Sequence, residues 1–240
     1  MSVSLEFRKV KRTGVIYAFL IGGLLAGAAP VVNMAFRSEI YLSLPATPMQ
    51  ILLDSSWQLT AMLNLLLFIV GATLLYEIEY KDNALQKMRT LPIHGSTIFF
   101  SKALLLFVLS FIVYAVEASA LIISSVHWFA LNDRFWMELA SHFLYLLILS
   151  LPSILFALLI ASASKNMWVS LGANVICLFL ATMLLNKNFI LSLFPFALPF
   201  HTLVGAETGE ILQYTIAAFI EAAFIGMAAV IFQKIRREFG

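Results

Sequence analysis

The chain has 240 residues, of which 62% are hydrophobic and 12% charged, against about half apolar and a quarter charged in soluble domains. That excludes an ordinary soluble protein and makes the chain an integral membrane protein. Its 15 basic and 13 acidic residues give a net charge of +2, too balanced for a nucleic-acid binder. The single cysteine, Cys177, excludes an intrachain disulfide and a cysteine-based zinc site.

A helix needs roughly 20 mostly apolar residues to cross about 30 Å of hydrocarbon. Uncharged runs of that size occupy 13–36, 55–76, 139–164 and 166–186. Two more, 103–132 and 211–233, are long enough but carry one carboxylate each, Glu117 and Glu221. The expected fold is all-α and integral to the membrane, one transmembrane domain over 1–240 with six transmembrane helices. Residues 188–206 are also uncharged, but Pro195, Pro199 and His201 interrupt the pattern.

Charge placement decides against a seventh span. With six, one side holds Arg8, Lys9, Lys11, Arg12, Lys81, Lys87, Arg89, Lys102, Lys165, Lys234, Arg236 and Arg237, and the other keeps only Arg37, Arg134 and Lys187. This positive-inside bias places both termini in the cytoplasm, and a seventh span would carry the C-terminal basic cluster outside. Residues 189–206 are therefore expected as an outer re-entrant segment, tolerated at membrane depth where protein or a water-filled cavity covers its backbone. Upstream, Leu5, Phe7 and Val10 alternate with basic residues over 1–12, which fits a cytoplasmic interfacial helix or a basic tail that sets topology. Ala26-Gly27-Ala28 looks like a signal-peptide cleavage site, but the apolar stretch exceeds a usual signal core, so the first span is expected to stay uncleaved.

The densest charge cluster joins the second and third spans, over 77–95. Asn83 suits an N-cap with Gln86 at the third helical position, and Pro92 ends the run. Ala84, Leu85, Met88 and Leu91 fall on one helical face, and Glu77 precedes Lys81 by four residues in the favourable order. The segment reads as a short amphipathic helix on the cytoplasmic face, either an ordinary solvated connection or a lever that passes motion from a soluble partner into the bundle.

The run Glu79-Tyr80-Lys81-Asp82-Asn83, followed by Leu91-Pro92 and Ser101-Lys102, resembles the loop of ABC type-2 exporter permeases, in particular the lantibiotic-immunity and antimicrobial-peptide-resistance permeases. Leu85 stands where that pattern has Trp, and Lys87 supplies the nearby base. The resemblance extends to length, six spans, the N-terminal interfacial helix and the outer broken hairpin. It implies that the loop is a coupling helix docking an ATPase through Glu77, Glu79, Lys81, Asn83, Leu85, Lys87, Met88, Arg89, Leu91 and Pro92. The chain lacks the Gly-x-x-x-x-Gly-Lys-Ser/Thr phosphate loop, so no catalytic residue and no cofactor is expected in this chain. ATP and Mg would belong to a separate ATPase. The implied assembly has two ATPase copies and two permeases, identical or related, in the bacterial plasma membrane, expelling a peptide such as a lantibiotic.

Carboxylates inside spans mark function or a buried partner. Counting along the helix places Glu117 near the outer boundary, as a headgroup-level residue or part of a transport path. Glu221 lies near the midplane beside Ala218, Ala222 and Gly226, where Asn174 of a neighbouring helix would be a fitting donor. Gly23-x-x-x-Gly27 permits close helix approach, expected within the subunit. His127, His142 and His201 lack metal-ligand spacing, and Trp57, Trp128 and Trp136 read as interfacial anchors. Two other functions fit these residues: a proton-coupled secondary transporter using Glu221 and Glu117, or a non-transporting scaffold or sensor.

Overall fold

The computed structural model describes residues 10, 14–80, 95–129, 133–185 and 187–239. Among these residues every regular element is helical: α1 (Val15–Leu42), α2 (Pro48–Tyr80), α3 (Gly95–Trp128), α4 (Asp133–Ala163), α5 (Met167–Leu184), a short α6 (Phe189–Ser192), a 3-10 turn (Leu198–Phe200) and α7 (Thr208–Phe239). Six of them, α1 to α5 and α7, are long and apolar enough to cross a membrane. Six crossings return the chain to the side on which it starts, here named the terminus side. The expected coupling helix and most of the expected interfacial helix fall on 81–94 and 1–13. Those stretches lie outside the described residues except for Val10, which is helical and buried, and Gly14 follows it at φ 73°.

The helices overrun the uncharged stretches, because a charge ends an apolar run without ending a helix. α1 continues past Arg37, where its backbone breaks to φ −137° and ψ 28°. α2 starts at Pro48 and includes Asp54, and α3 starts at Gly95 and includes Lys102. The early part of α4 is supported by an Arg134–Glu138 ion pair of 2.8 Å at i,i+4 spacing.

α2 is the central helix: 61% of its most apolar window is buried, against 22% for α5 and for α7. Leu52, Leu65, Phe68, Ile69 and Leu75 are fully buried along it. α1 lies against α3 through its small residues. A Cβ on Gly23 would stand 3.3 Å from the Val113 backbone, and one on Gly27 would stand 3.2 Å from the Ala120 side chain. The Gly23-x-x-x-Gly27 pair thus serves packing inside the subunit, as the sequence suggested.

Between α5 and α7, residues 187–207 contain no helix long enough to cross. Their middle folds back onto the bundle, with Phe196, Ala197 and Leu198 fully buried. Phe194 and Phe196 meet the Phe156 ring of α4 at 5.6 and 5.3 Å. A non-helical backbone that is buried needs other partners, and side chains of the spans supply them. Ser153 donates to the Pro195 carbonyl, and Trp57 Nε1 donates to the Phe200 carbonyl at 3.1 Å. Within the segment, Phe200 and His201 amides close tight turns onto Ala197 and Leu198.

Candidate coupling and transport elements

The last turns of α2 end where the 81–94 loop begins, and they carry the strongest polar contacts described. Lys102 of α3 is 1% exposed, as is Glu79 of α2, and the two form a 3.1 Å ion pair. The Lys102 ammonium also donates to the Leu75 carbonyl at 2.8 Å and lies 5.5 Å from the Tyr76 ring centre. Together these contacts give the buried ammonium several partners, which is the condition under which a buried charge is tolerated.

One residue further, Tyr80 donates to the Ser162 carbonyl at the end of α4, at 2.6 Å. Arg236 of α7 donates to the Tyr80 hydroxyl at 2.8 Å and to the same Ser162 carbonyl, with its guanidinium 5.3 Å from the Tyr80 ring. Two adjacent residues at the mouth of the loop, Glu79 and Tyr80, therefore join α2 to α3, α4 and α7.

This geometry corrects one expectation. Glu79 does not lie on a docking surface; it faces inward and holds Lys102. Glu77 is half-buried, and the remaining expected docking residues, Lys81, Asn83, Leu85, Lys87, Met88, Arg89, Leu91 and Pro92, lie outside the described residues. The partners Lys102, Ser162 and Arg236 were not expected from sequence. The available signal was Lys102 itself, a lone cation followed by an apolar run, which requires a nearby carboxylate.

Glu117 also departs from expectation. It is 3% exposed and points into the bundle, because counting along a helix gives height but not direction. It borders a small cavity of about 10 Å³ shared with Thr60, Trp57, Gly27 and Phe143, room for about one water. Glu117 faces the Asn64 side chain across a loose polar contact, and neither makes a hydrogen bond of regular geometry among the described residues. Tyr114, three residues before Glu117 on the same helix, is likewise buried, its hydroxyl toward Ser150 without a regular hydrogen bond.

Glu221 sits roughly midway along α7, half-buried, and lines a surface groove with Phe189, Leu193, Gln213 and Ile220. Asn174 is not its donor. The Asn174 amide instead bonds the Ser170 carbonyl of its own helix at 3.1 Å and reaches the Ala157 carbonyl of α4 at 3.5 Å. The small residues near Glu221 divide between neighbours: Ala218 is fully buried beside Tyr145 and Leu198, and Gly226 faces Phe100.

The histidines do not converge. His142 is fully buried edge-on to Trp57 at 4.7 Å, His201 stacks on Tyr214 at 3.9 Å, and His127 lies beside Trp128. No group of three metal-ligating side chains occurs among the described residues. Trp57, expected as an interfacial anchor, is a buried strut that supports the 187–207 segment, whereas Trp136 is exposed.

A family model described as ABC-2 family transporter protein matches residues 2–183. No curated protein and no solved structure matches the chain. The match takes in α1 to α5, including Glu79, Lys102 and the loop between them. With six apolar helices and about three-quarters of its length matched, the chain belongs to the ABC-2 transporter family as a multi-pass, membrane-spanning subunit of an ABC transporter.

Proposed function

We propose that this permease is the transmembrane half of an ATP-driven exporter that expels lantibiotic-like, amphipathic antimicrobial peptides from the bacterial plasma membrane, giving immunity to them. Both termini and the 81–94 loop face the cytoplasm, as the positive-inside rule requires. An ABC ATPase docks on that loop, two copies serving two permeases of the same or a related chain, and the ATP and Mg belong to it. This chain contributes mechanical work.

The observation that carries the reading is the junction where the loop leaves α2. The Glu79–Lys102 pair and the Tyr80–Ser162–Arg236 contacts fasten the loop's origin to α3, α4 and α7. A push on the loop is thereby converted into a concerted displacement of those helices. The 187–207 segment, its buried backbone bonded by Trp57 and Ser153, suits a re-entrant hairpin on the outer side, since such backbone enters the membrane only under a cover of protein.

Affinity purification of the membrane complex tests this. Wild type is expected to bring down an ATPase, and Leu85→Asp in the loop is expected to lose it while the permease stays folded. Peptide added to the reconstituted complex should raise ATP turnover; a complex with no associated ATPase would refute the proposal. A second reading, a proton-coupled transporter, draws on Glu117 and Glu221, and on the small cavity at Glu117. It predicts transport that persists without ATP and stops in Glu117→Gln or Glu221→Gln.

A further inference from the structure

One flank of α7 lies against α4 and the 187–207 segment, while the other is open, with Ile216, Ile220, Phe224 and Met227 exposed. Two grooves follow that flank. The first, of about 350 Å³, lies between Phe189 and Leu193 of the segment and Ile216, Ile220 and Glu221 of α7. The second, of about 440 Å³, continues along the helix between Phe100 of α3 and Gly226, Met227 and Val230. Glu221 is the only ionisable side chain lining either groove among the described residues.

Its position is unusual for a carboxylate. It is thirteen residues after Thr208 and fifteen before Arg236, roughly 20 Å from each at about 1.5 Å per residue, and so deep within the hydrocarbon. Its Oε2 has no hydrogen-bond partner among the described residues. A carboxylate at such depth, beside apolar surface open to lipid, is costly unless it takes up a proton or pairs with a cation. The side opposite the termini adds to this field: its loops and helix ends carry Glu39, Asp54, Asp133, Glu138, Glu207 and Glu210 against Arg37, Arg134 and Lys187, an excess of negative charge that concentrates cations at that face.

We infer that the groove is a lateral entry site for a cationic amphipathic peptide, a lysine or N-terminal ammonium pairing with Glu221 while apolar side chains lie along Ile216, Ile220, Gly226 and Val230. The inference rests on the peptide-exporter reading and adds to it the means of recognition and an approach from within the lipid. Charge selects the ligand at one point, and the grooves accept any apolar face of matching length, so the site favours a class of peptides over one sequence.

The test uses the full chain in nanodiscs of zwitterionic lipid, without ATPase, and an amphipathic leucine–lysine peptide bearing a photoreactive diazirine on its apolar face. Crosslinks are expected on residues 213–231. Binding should weaken about tenfold in Glu221→Gln, the size of one lost charge-assisted hydrogen bond, and recover in Glu221→Asp, with unchanged thermal unfolding as the check on folding. A leucine–glutamate peptide of the same pattern should not compete.

Equal binding to wild type and Glu221→Gln overturns the inference, as do crosslinks confined to other helices. Displacement of the peptide by a trimethylammonium lipid at equal concentration assigns the groove to lipid and also overturns it. So does loss of permease dimers in Glu221→Gln, which assigns the flank to a second copy. Peptide-stimulated ATP turnover separates the two proposals. Binding without stimulation keeps the groove and removes the exporter reading; stimulation unaffected by Glu221→Gln does the reverse.

Discussion

At the terminus-side end of the bundle, Glu79 and Lys102 hold each other across 3.1 Å, and Tyr80, Ser162 and Arg236 close a second link beside them. Toward the far side, Glu117, Asn64, Tyr114 and His142 are as deeply buried, yet their polar contacts are loose: Glu117 faces Asn64 and Tyr114 faces Ser150 without hydrogen bonds of regular geometry, and the His142 nitrogens make none among the described residues. The first arrangement fixes helices to one another, since moving either partner exposes a buried charge. The second is held by weaker polar contacts and by packing. The bundle is thus pinned firmly near the end of α2 and more loosely beyond it.

The largest effect should come from breaking the stiff joint on one side only. Lys102→Met leaves Glu79 buried without its cation, and loss of one member of a buried pair costs about 3–5 kcal/mol. Unfolding of the detergent-solubilised permease by SDS titration measures it. The double variant Glu79→Leu/Lys102→Met removes both charges and should regain most of that stability. In the assembled transporter, coupling of ATP turnover to substrate should stay impaired in this double variant although the protein is stable again. Full recovery of coupling would mean that the pair serves stability alone.

A smaller loss is expected where the 187–207 segment meets the spans. Trp57→Phe keeps a ring against His142 but removes the donor to the Phe200 carbonyl, leaving a partly buried acceptor unsatisfied at a cost of about 1–2 kcal/mol. Hydrogen exchange should quicken in residues 194–201 and leave α2 unchanged. Uniform acceleration over the whole chain would show that the segment and the bundle unfold together.

Tyr80→Phe is expected to fall below both. It removes the hydroxyl between Arg236 and Ser162, but Arg236 retains its own bond to the Ser162 carbonyl. The loss should be about 0.5–1.5 kcal/mol, and Arg236→Met should exceed it because that change removes both described hydrogen bonds and the cation on the Tyr80 ring. The reverse ranking would place the strength of the joint in the tyrosine.

The six spans were legible because roughly 20 apolar residues in a row have few other uses, and the basic residues agreed on the count. Their limits were not. Lys102 closes the uncharged stretch on paper, but Glu79 of α2 pairs with it and α3 begins seven residues earlier, at Gly95. The direction in which a residue faces was equally hidden. Glu117 was expected at headgroup level or in a transport path and is buried inside the bundle, since every face of a membrane helix is apolar and the pattern that marks a soluble helix's inner side is absent. Trp57 failed for the same reason: tryptophan is common at membrane interfaces, and nothing nearby in sequence announces a partner 143 residues away. Gly23 and Gly27 were read correctly because a small-residue pair at this spacing permits close approach whichever helix makes it.

The interior around Glu117 offers the sharpest contrast with the joint, since a single removal there should cost little. Glu117→Leu deletes a carboxyl whose contact with Asn64 is loose and supplies apolar atoms of similar volume beside Ala26, Leu53, Leu121 and Phe143. The desolvation cost of the buried carboxyl is removed together with a weak contact, so the change should stay within about 1 kcal/mol of wild type, against the several lost in Lys102→Met. SDS titration of the two variants in parallel gives that ratio directly. A Glu117→Leu loss as large as that of Lys102→Met would mean that Glu117 is bonded in the membrane as firmly as Lys102, and the contrast between the two regions would fail. A stable Glu117→Leu permease whose transport has stopped would instead leave that contrast intact and give the carboxyl a part in moving the substrate, because stability and function would then have separated at one residue.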